Sequence, residues 1–150
     1  MIYQQRDPMI TPGFWLDVQG VTEAVFTQVS GLKVETETEP YHEGGRNDVV
    51  YMLPTKTKWS PITIKRGWAA SLELWTWYQQ VIRGDVRPRD CSIMMGMLTG
   101  QNQGVEKARI NVQQAYPISW TGPDFDVGGN AVGFESIVLT HMGFTIVKAT

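Results

Sequence analysis

The chain is 150 residues long, with 42% hydrophobic residues, 19% charged residues and a formal net charge of −2. Length and composition indicate one globular domain, residues 1–150, and the charge lacks the basic excess of most nucleic-acid-binding proteins. One cysteine, Cys91, excludes an internal disulfide, and no apolar stretch is long enough to anchor the chain in a membrane.

Glycine and proline divide the chain into short segments, a spacing typical of strands joined by turns. The clearest strand pattern runs from Leu32 to Glu39, where apolar or threonine side chains alternate with charged ones. Its charged face, a candidate for an exposed or channel-lining surface, consists of Lys33, Glu35, Glu37 and Glu39. A second alternation, over 105–113, has a polar face of Lys107, Arg109, Asn111 and Gln113.

About eight strands and a single helix predict an all-β fold with one helix, an antiparallel β-sandwich or barrel. The helix is predicted over about 72–83, with Ser71 as its N-cap and Gly84 just beyond its C-terminus. Its apolar stripe consists of Leu74, Trp75, Tyr78, Val81 and Ile82. A helix with such a stripe is expected to pack on the sheet.

The six tryptophans allow two interpretations, a platform that stacks on sugars or a set of core and interface anchors. Trp75 lies on the predicted apolar stripe, so Trp77, two residues later, is expected to point away from the sheet. An outward tryptophan suits a subunit interface. Trp77 and Trp59 are therefore the candidate interface residues.

The segment 42–58 is the least compact part of the sequence, with turn-forming residues around a short apolar run. A long excursion of this kind is usually functional or disordered, and we predict a projecting arm that contains a strand or hairpin. The candidate arm residues are Glu43, Gly44, Gly45, Asn47, Asp48, Val49, Val50, Tyr51 and Met52.

No catalytic constellation emerges from the sequence. His42 beside Glu43 is interpreted as a solvated loop residue, and His141 as an edge residue at a strand end. Cys91 lies in a predicted strand with nothing basic placed to lower the pKa of its thiol, so it is expected to be buried and inert. Motifs that bind phosphate or carry a serine nucleophile are not found. We therefore predict no enzyme activity, no cofactor and no metal.

Short motifs follow one another along the chain in a distinctive order. They are Val29-Ser30-Gly31-Leu32, Tyr41-His42-Glu43-Gly44-Gly45, Thr63-Ile64-Lys65-Arg66-Gly67, Leu74-Trp75-Thr76-Trp77, Ala115-Tyr116-Pro117-Ile118 and Trp120-Thr121-Gly122-Pro123. Together with the closing segment 135–141, they resemble the inner tail tube family of contractile phage tails, tailocins and extracellular contractile injection systems. The resemblance covers nearly the whole chain.

The resemblance implies a structural subunit whose hexameric rings stack into a hollow tube, driven through a target envelope by a contracting sheath. The implied partners are further copies of the chain, the sheath protein, baseplate and terminator proteins, and cargo or DNA in the lumen. The arm, 42–58, would then reach the neighbouring ring. The first fifteen residues lack the apolar core of a signal peptide, so assembly in the bacterial cytoplasm is expected, within a virion tail or a released particle.

In such a ring, like charges from six copies would raise the pKa of Glu35 and Glu37 unless Lys33 and basic neighbours compensate. Two other functions stay open at this point. One is a carbohydrate-binding β-sandwich with the tryptophans as its platform, and the other is a secreted hexameric ring of the type VI kind.

Overall fold

The computed structural model describes residues 12–18, 21–45, 48–68, 72–97, 105–129 and 133–148. These residues form ten strands and one helix, α1 (Glu73–Ile82). The strands are β1 (Pro12–Val18), β2 (Val21–Phe26), β3 (Gln28–Ser30), β4 (Val34–His42), β5 (Val50–Trp59), β6 (Ile62–Gly67), β7 (Arg89–Met97), β8 (Val105–Thr121), β9 (Phe134–Thr140) and β10 (Gly143–Lys148). The predicted class, antiparallel β with one helix, is confirmed.

Eight of the strands form one antiparallel system in the order β2-β1-β7-β8-β9-β6-β3, with β10 paired to β8. The 17-residue strand β8 pairs with β7 and β10 in its first part and with β9 in its last part. At the other side, β2 runs into β3 through Thr27. Two sheets are therefore joined by continuous chain on both sides, and the remaining strands, β4 and β5, pair with each other.

The bend in β8 has a local cause. Gln114 has φ 50°, in the left-handed region that side chains other than glycine and asparagine rarely occupy. Asp90 Oδ1 accepts hydrogen bonds from the Gln114 backbone N–H at 3.0 Å and from its side-chain Nε2 at 3.3 Å. The register with β7 shifts between Arg89 and Cys91, as expected for a β-bulge. The bulge redirects β8 from one sheet to the other.

The core lies between the two sheets and α1. It is formed by alternating inward side chains of β1, β6, β7, β8 and β9, among them Leu16, Ile64, Ile93, Val112 and Ile137. Each of these is almost fully buried, and burial of a large aliphatic side chain contributes roughly 1.5–3 kcal/mol. Alternation along the strands therefore accounts for the core as the sequence predicts.

Helix α1 matches its predicted range within one residue at each end. The N-cap is Leu72, which makes no side-chain capping hydrogen bond, and Ser71 lies outside the described residues. Gly84 has φ +84°, the left-handed conformation expected just beyond a helix C-terminus. No helix in the described part of the chain is long and apolar enough to span a bilayer.

The predicted orientation of α1 is correct for Leu74 and Trp75, which pack on the body, but wrong for Trp77 and Ile82. Trp77 is only 8% exposed and belongs to the core with Leu74, whereas Ile82 is 61% exposed. The sequence carries a second apolar stripe through Leu74, Trp77 and Val81, and this stripe faces the sheet. Because both stripes satisfy helical periodicity, the sequence pattern alone does not decide between them.

Candidate assembly surfaces

The arm is an antiparallel hairpin formed by β4 and β5. Its register runs from Val34 opposite Trp59 to His42 opposite Val50, with an irregularity between Thr36 and Thr38. The predicted arm, 42–58, is therefore too short at its N-terminal side. The segment Leu32 to Glu39, expected in the body of the sheet, forms the first strand of the arm instead.

Both faces of β4 are exposed along its whole length. Glu35 lies directly opposite Lys58, and its Oε1 is 2.6 Å from Lys33 Nζ. The hydrogen bond and charge of Lys33, with a further contribution from Lys58, lower the pKa of the Glu35 carboxyl. Within one subunit, the basic neighbours thus compensate at Glu35 for the repulsion that the sequence analysis considered.

The outer half of the arm is rich in exposed apolar side chains. They are Tyr41, Val50, Tyr51, Met52 and Leu53. Among the other predicted arm residues, Glu43, Gly44, Gly45 and Asp48 are exposed and Val49 is half-buried. Asn47 lies outside the described residues. A projecting hairpin that exposes this much apolar surface is typical of a protein–protein contact.

The base of the arm is fixed by an aromatic cluster. The ring centroid of Trp59 lies 4.9 Å from that of Phe144 and 6.0 Å from that of His141. His141 Nδ1 accepts a hydrogen bond from the Gly143 N–H, so its Nε2 is the nitrogen that donates to the Ser60 carbonyl, at 2.8 Å. His141, predicted to be a plain edge residue, therefore connects the arm to β10.

The turn into β4 requires a glycine. Gly31 has φ +85°, and a Cβ at this position would overlap the carbonyl oxygen of Pro61. The two chain crossings at the base of the arm, 31–33 and 60–61, are also linked by a hydrogen bond from Ser60 N–H to the Lys33 carbonyl. The arm consequently leaves the β3–β6 pair in a defined direction.

A chain of aromatic contacts runs from α1 to the loop 122–129. The rings of Trp75 and Trp120 lie 4.7 Å apart, those of Trp120 and Trp68 6.5 Å, and those of Trp68 and Phe125 6.2 Å. All six tryptophans lie in the described residues, and Trp68, which is 41% exposed, is the most exposed of them. Most tryptophan surface is thus used for packing, which leaves little for a sugar platform.

The outer face of the β1–β7–β8–β10 sheet is partly polar. One row of residues in register across its four strands consists of Asp17, Ser92, Asn111 and Thr145. Ser92 Oγ donates to Asn111 Oδ1 at 3.0 Å. The predicted polar face of β8 is only partly exposed to solvent. Lys107 and Gln113 are exposed, whereas Arg109 and Asn111 are half-buried.

The described residues contain no group of three or more side chains that could hold a metal ion. Burial raises the pKa of the Cys91 thiol to about 12, with the neighbouring Asp90 acting in the same direction. A thiol with this pKa is almost entirely protonated at neutral pH and is a poor nucleophile. The prediction of a buried cysteine is confirmed.

Sequence reasoning missed the N-terminal half of the arm. The signal was present, because the glutamates of 35–39 have basic counterparts in Lys56 and Lys58, and because Thr36, Thr38 and Pro40 give the supposed inner face little to bury. Opposite charges on two segments with period-two alternation favour their pairing with each other.

Comparisons with known proteins agree with this architecture. The sequence profile of T4-like virus tail tube protein gp19 matches residues 11–145. The fold is similar to a chain of the sheath–tube complex of an extracellular contractile injection system, PVC, in its extended state. That pair has a TM-score of 0.76 and 25% identity, over 97% of this chain and 95% of that one.

Two further structures show the same fold. The tube-terminating cap of the anti-feeding prophage has a TM-score of 0.75 and 24% identity, over 99% of this chain and 95% of that one. Hcp1 from Flavobacterium johnsoniae has a TM-score of 0.52 and 16% identity, over 91% of this chain and 96% of that one. No curated protein sequence matches the chain.

Proposed function

Because the chain belongs to the family of T4-like virus tail tube protein gp19 and is a structural tube subunit, we propose that its copies form hexameric rings that stack into the inner tube of a contractile injection machine. The observation that carries this proposal is the family match over 11–145, supported by the similarity to a chain of a sheath–tube complex. The proposal comprises hexamer formation, stacking of the rings and propulsion by a sheath.

The arm supports stacking. It is anchored to the body by Trp59 and Phe144, and the apolar side chains of its outer half are 43–57% exposed. An arm that leaves one end of a domain makes contact with a different surface of the next copy, and such a heterologous contact can repeat without limit. We propose that the arm reaches the adjacent ring, with the added residues of β4 taking part.

The lumen is assigned to a surface other than the one formed by Lys33, Glu35, Glu37 and Glu39. Since these four residues belong to the arm, we propose that the outer face of the β1–β7–β8–β10 sheet lines the channel. The polar face predicted for 105–113 lies on strand β8 of this sheet and would therefore be part of the channel lining. In the described residues β10 pairs with β8 alone, so its other edge is open for a strand of a neighbouring copy.

Membership of a contractile injection machine also implies the partners of the tube, the contents of its lumen and its place of assembly. The tube would contact sheath, baseplate and terminator proteins, carry cargo or DNA in its lumen, and turn over no substrate. It would be assembled in the bacterial cytoplasm and function in a virion tail or a released particle. Neighbours from baseplate, sheath–tube and terminator structures support these partners.

Electron microscopy of the purified chain, combined with light scattering during size-exclusion chromatography, tests the proposal. We expect six-fold rings and stacks of rings that lengthen with protein concentration. A chain that stays monomeric at every concentration, including in the presence of its sheath protein, would contradict it. Monomers whose tryptophan fluorescence changes on addition of oligosaccharide would favour the carbohydrate-binding alternative.

A further inference from the structure

Four exposed apolar side chains lie at the end of the β6–β9 pair that is farthest from the arm. This end patch consists of Trp68, Phe125, Val127 and Phe134. Trp68 is 41% exposed and Phe125 81%, and Val127 is fully exposed. Patches of this kind on soluble proteins mark interaction sites.

The end patch is held in place by its surroundings. Asp126 Oδ1 accepts a 3.0 Å hydrogen bond from the Gly128 N–H, which closes the turn beyond Phe125. The Phe125 ring rests on Trp68, which the aromatic chain connects to α1. The Trp68 N–H donates to the Gly133 carbonyl at 2.9 Å, next to Phe134. These apolar groups are thus presented on an ordered support.

The position of the end patch relative to the arm follows from the strand register. β6 begins at Ile62, opposite Leu139, directly after the base of the arm, and ends at Gly67, opposite Phe134. The arm continues the β3–β6 pair beyond the Ile62 end, and the end patch lies beyond the Gly67 end. Arm and patch therefore occupy opposite ends of one strand pair, so copies related head to tail bring the arm of one toward the patch of the next.

One face of the arm matches the end patch in chemistry. Residues directly opposite in a hairpin share a face, as do residues two apart on one strand. Glu39 is opposite Leu53 and Tyr41 is opposite Tyr51, so these four side chains form one face, the arm face. At the end patch, Lys65 Nζ lies 4.8 Å above the Phe134 ring. Each surface thus combines large apolar groups with charged ones: Glu39 on the arm face, and Lys65 together with the exposed Asp124 and Asp126 at the end patch. Among the charges at the end patch, Lys65 is opposite in sign to Glu39.

We propose that the end patch is the site that receives the arm face of a second copy in the adjacent ring, with Glu39 of the arm facing Lys65. This inference rests on the proposed function, because it names the partner surface of the arm. It gives the stack a polarity, since each subunit offers an arm at one end and a patch at the other.

Cysteine crosslinking tests the contact, and the buried Cys91 contributes little background. A variant with Leu53→Cys and Val127→Cys, oxidised after assembly, should give a ladder of covalent oligomers on a denaturing gel. A matched control pairs Leu53→Cys with Met142→Cys, an exposed residue near the base of the arm, and should give no ladder. Each single variant should also give none.

The outcomes separate the two proposals. If tubes form and the Leu53/Val127 pair gives no ladder, this inference is overturned while the proposed function stands. If Val127→Cys alone gives dimers, the patches contact each other, and the inference is equally wrong. If the wild-type chain forms no rings or tubes, the proposed function fails first.

Charge reversal is a second measurement. Glu39→Lys and Lys65→Glu should each cause loss of long tubes, and their combination should restore tube length. No restoration would contradict the assigned charge pair.

Discussion

Arg66 Nε donates a 3.0 Å hydrogen bond to Oε2 of Glu135 across the β6–β9 pair, and both side chains are almost completely buried. The other carboxylate oxygen of Glu135 accepts a 2.9 Å hydrogen bond from Trp120 Nε1. The Arg66 guanidinium also lies 5.9 Å from the centre of the Phe26 ring. One buried carboxylate therefore connects three strands, β6, β8 and β9.

Glu135→Gln should destabilise the subunit strongly. The substitution preserves shape but removes the charge of a buried carboxylate that accepts hydrogen bonds from both Arg66 and Trp120. Breaking a buried ion pair in this way costs about 3–5 kcal/mol. Chemical denaturation of the subunit measures the loss. Asp85→Asn is the matched control, because its partner Arg87 and Asp85 itself are largely exposed, and it should cost less than about 1 kcal/mol. Equal losses in the two variants would contradict the role assigned to burial.

Cys91 should make the subunit less stable at high pH. Its thiol has an ordinary pKa of 9.0 and a folded pKa of about 12, so between these values the unfolded chain loses a proton that the folded chain keeps. Stability therefore falls as pH rises through this window, by up to about 1.4 kcal/mol per pH unit. Urea denaturation of wild type and Cys91→Ala at pH 8 and pH 10 isolates this contribution. We expect the wild type to lose about 1.4 kcal/mol more than the variant over this interval.

The same cysteine should resist thiol reagents. In the folded subunit Cys91 should react with an aromatic disulfide reagent only at the rate of unfolding, whereas Met142→Cys, at an exposed position outside the end patch, should react at once. Fast labelling of native wild-type protein at neutral pH would show that the thiol is accessible.

Removal of the arm should separate ring formation from stacking. Replacing residues 37–56 by Asn-Gly closes the hairpin just beyond the opposed pair Thr36 and Thr57 with a favoured two-residue turn. Because core residues are untouched, the variant should keep its thermal midpoint and form single rings without tubes. Electron microscopy distinguishes the two products. Tubes of normal length from this variant would mean that the arm has another role.

The bulge at Gln114 should tolerate glycine better than a β-branched residue. Its φ of 50° is accessible to glycine and strained for valine, and the hydrogen bond from its backbone N–H to Asp90 survives either change. We expect Gln114→Val to cost about 1–2 kcal/mol more than Gln114→Gly. Thermal denaturation measures both variants. Equal midpoints would show that the bend does not depend on the left-handed conformation.

The elements that sequence predicted well are specified locally. The C-terminal limit of α1 follows from Gly84 just beyond it, and β9 follows from alternation over 134–140. The placement of β4 is not specified locally. Leu32 to Glu39 would show the same alternation as a strand of the main sheets or as a strand of a projecting arm. That choice depends on pairing with β5, which the basic residues Lys56 and Lys58 favour but which the alternation within β4 does not itself indicate. Arg66 and Glu135 are 69 residues apart, and no local pattern connects them.

The continuity of β8 has a mechanical consequence. Strand β8 is hydrogen-bonded to β7 and β10 along its first part and to β9 along its last part, so it is common to both sheets. A force along β8 therefore acts in shear on the hydrogen bonds to all three neighbouring strands at the same time. Interiors packed to crystal-like density have low compressibility and transmit strain. We therefore expect a force applied at one end of the subunit to be transmitted to the other end with little deformation. The two sheets should then move together as one rigid body.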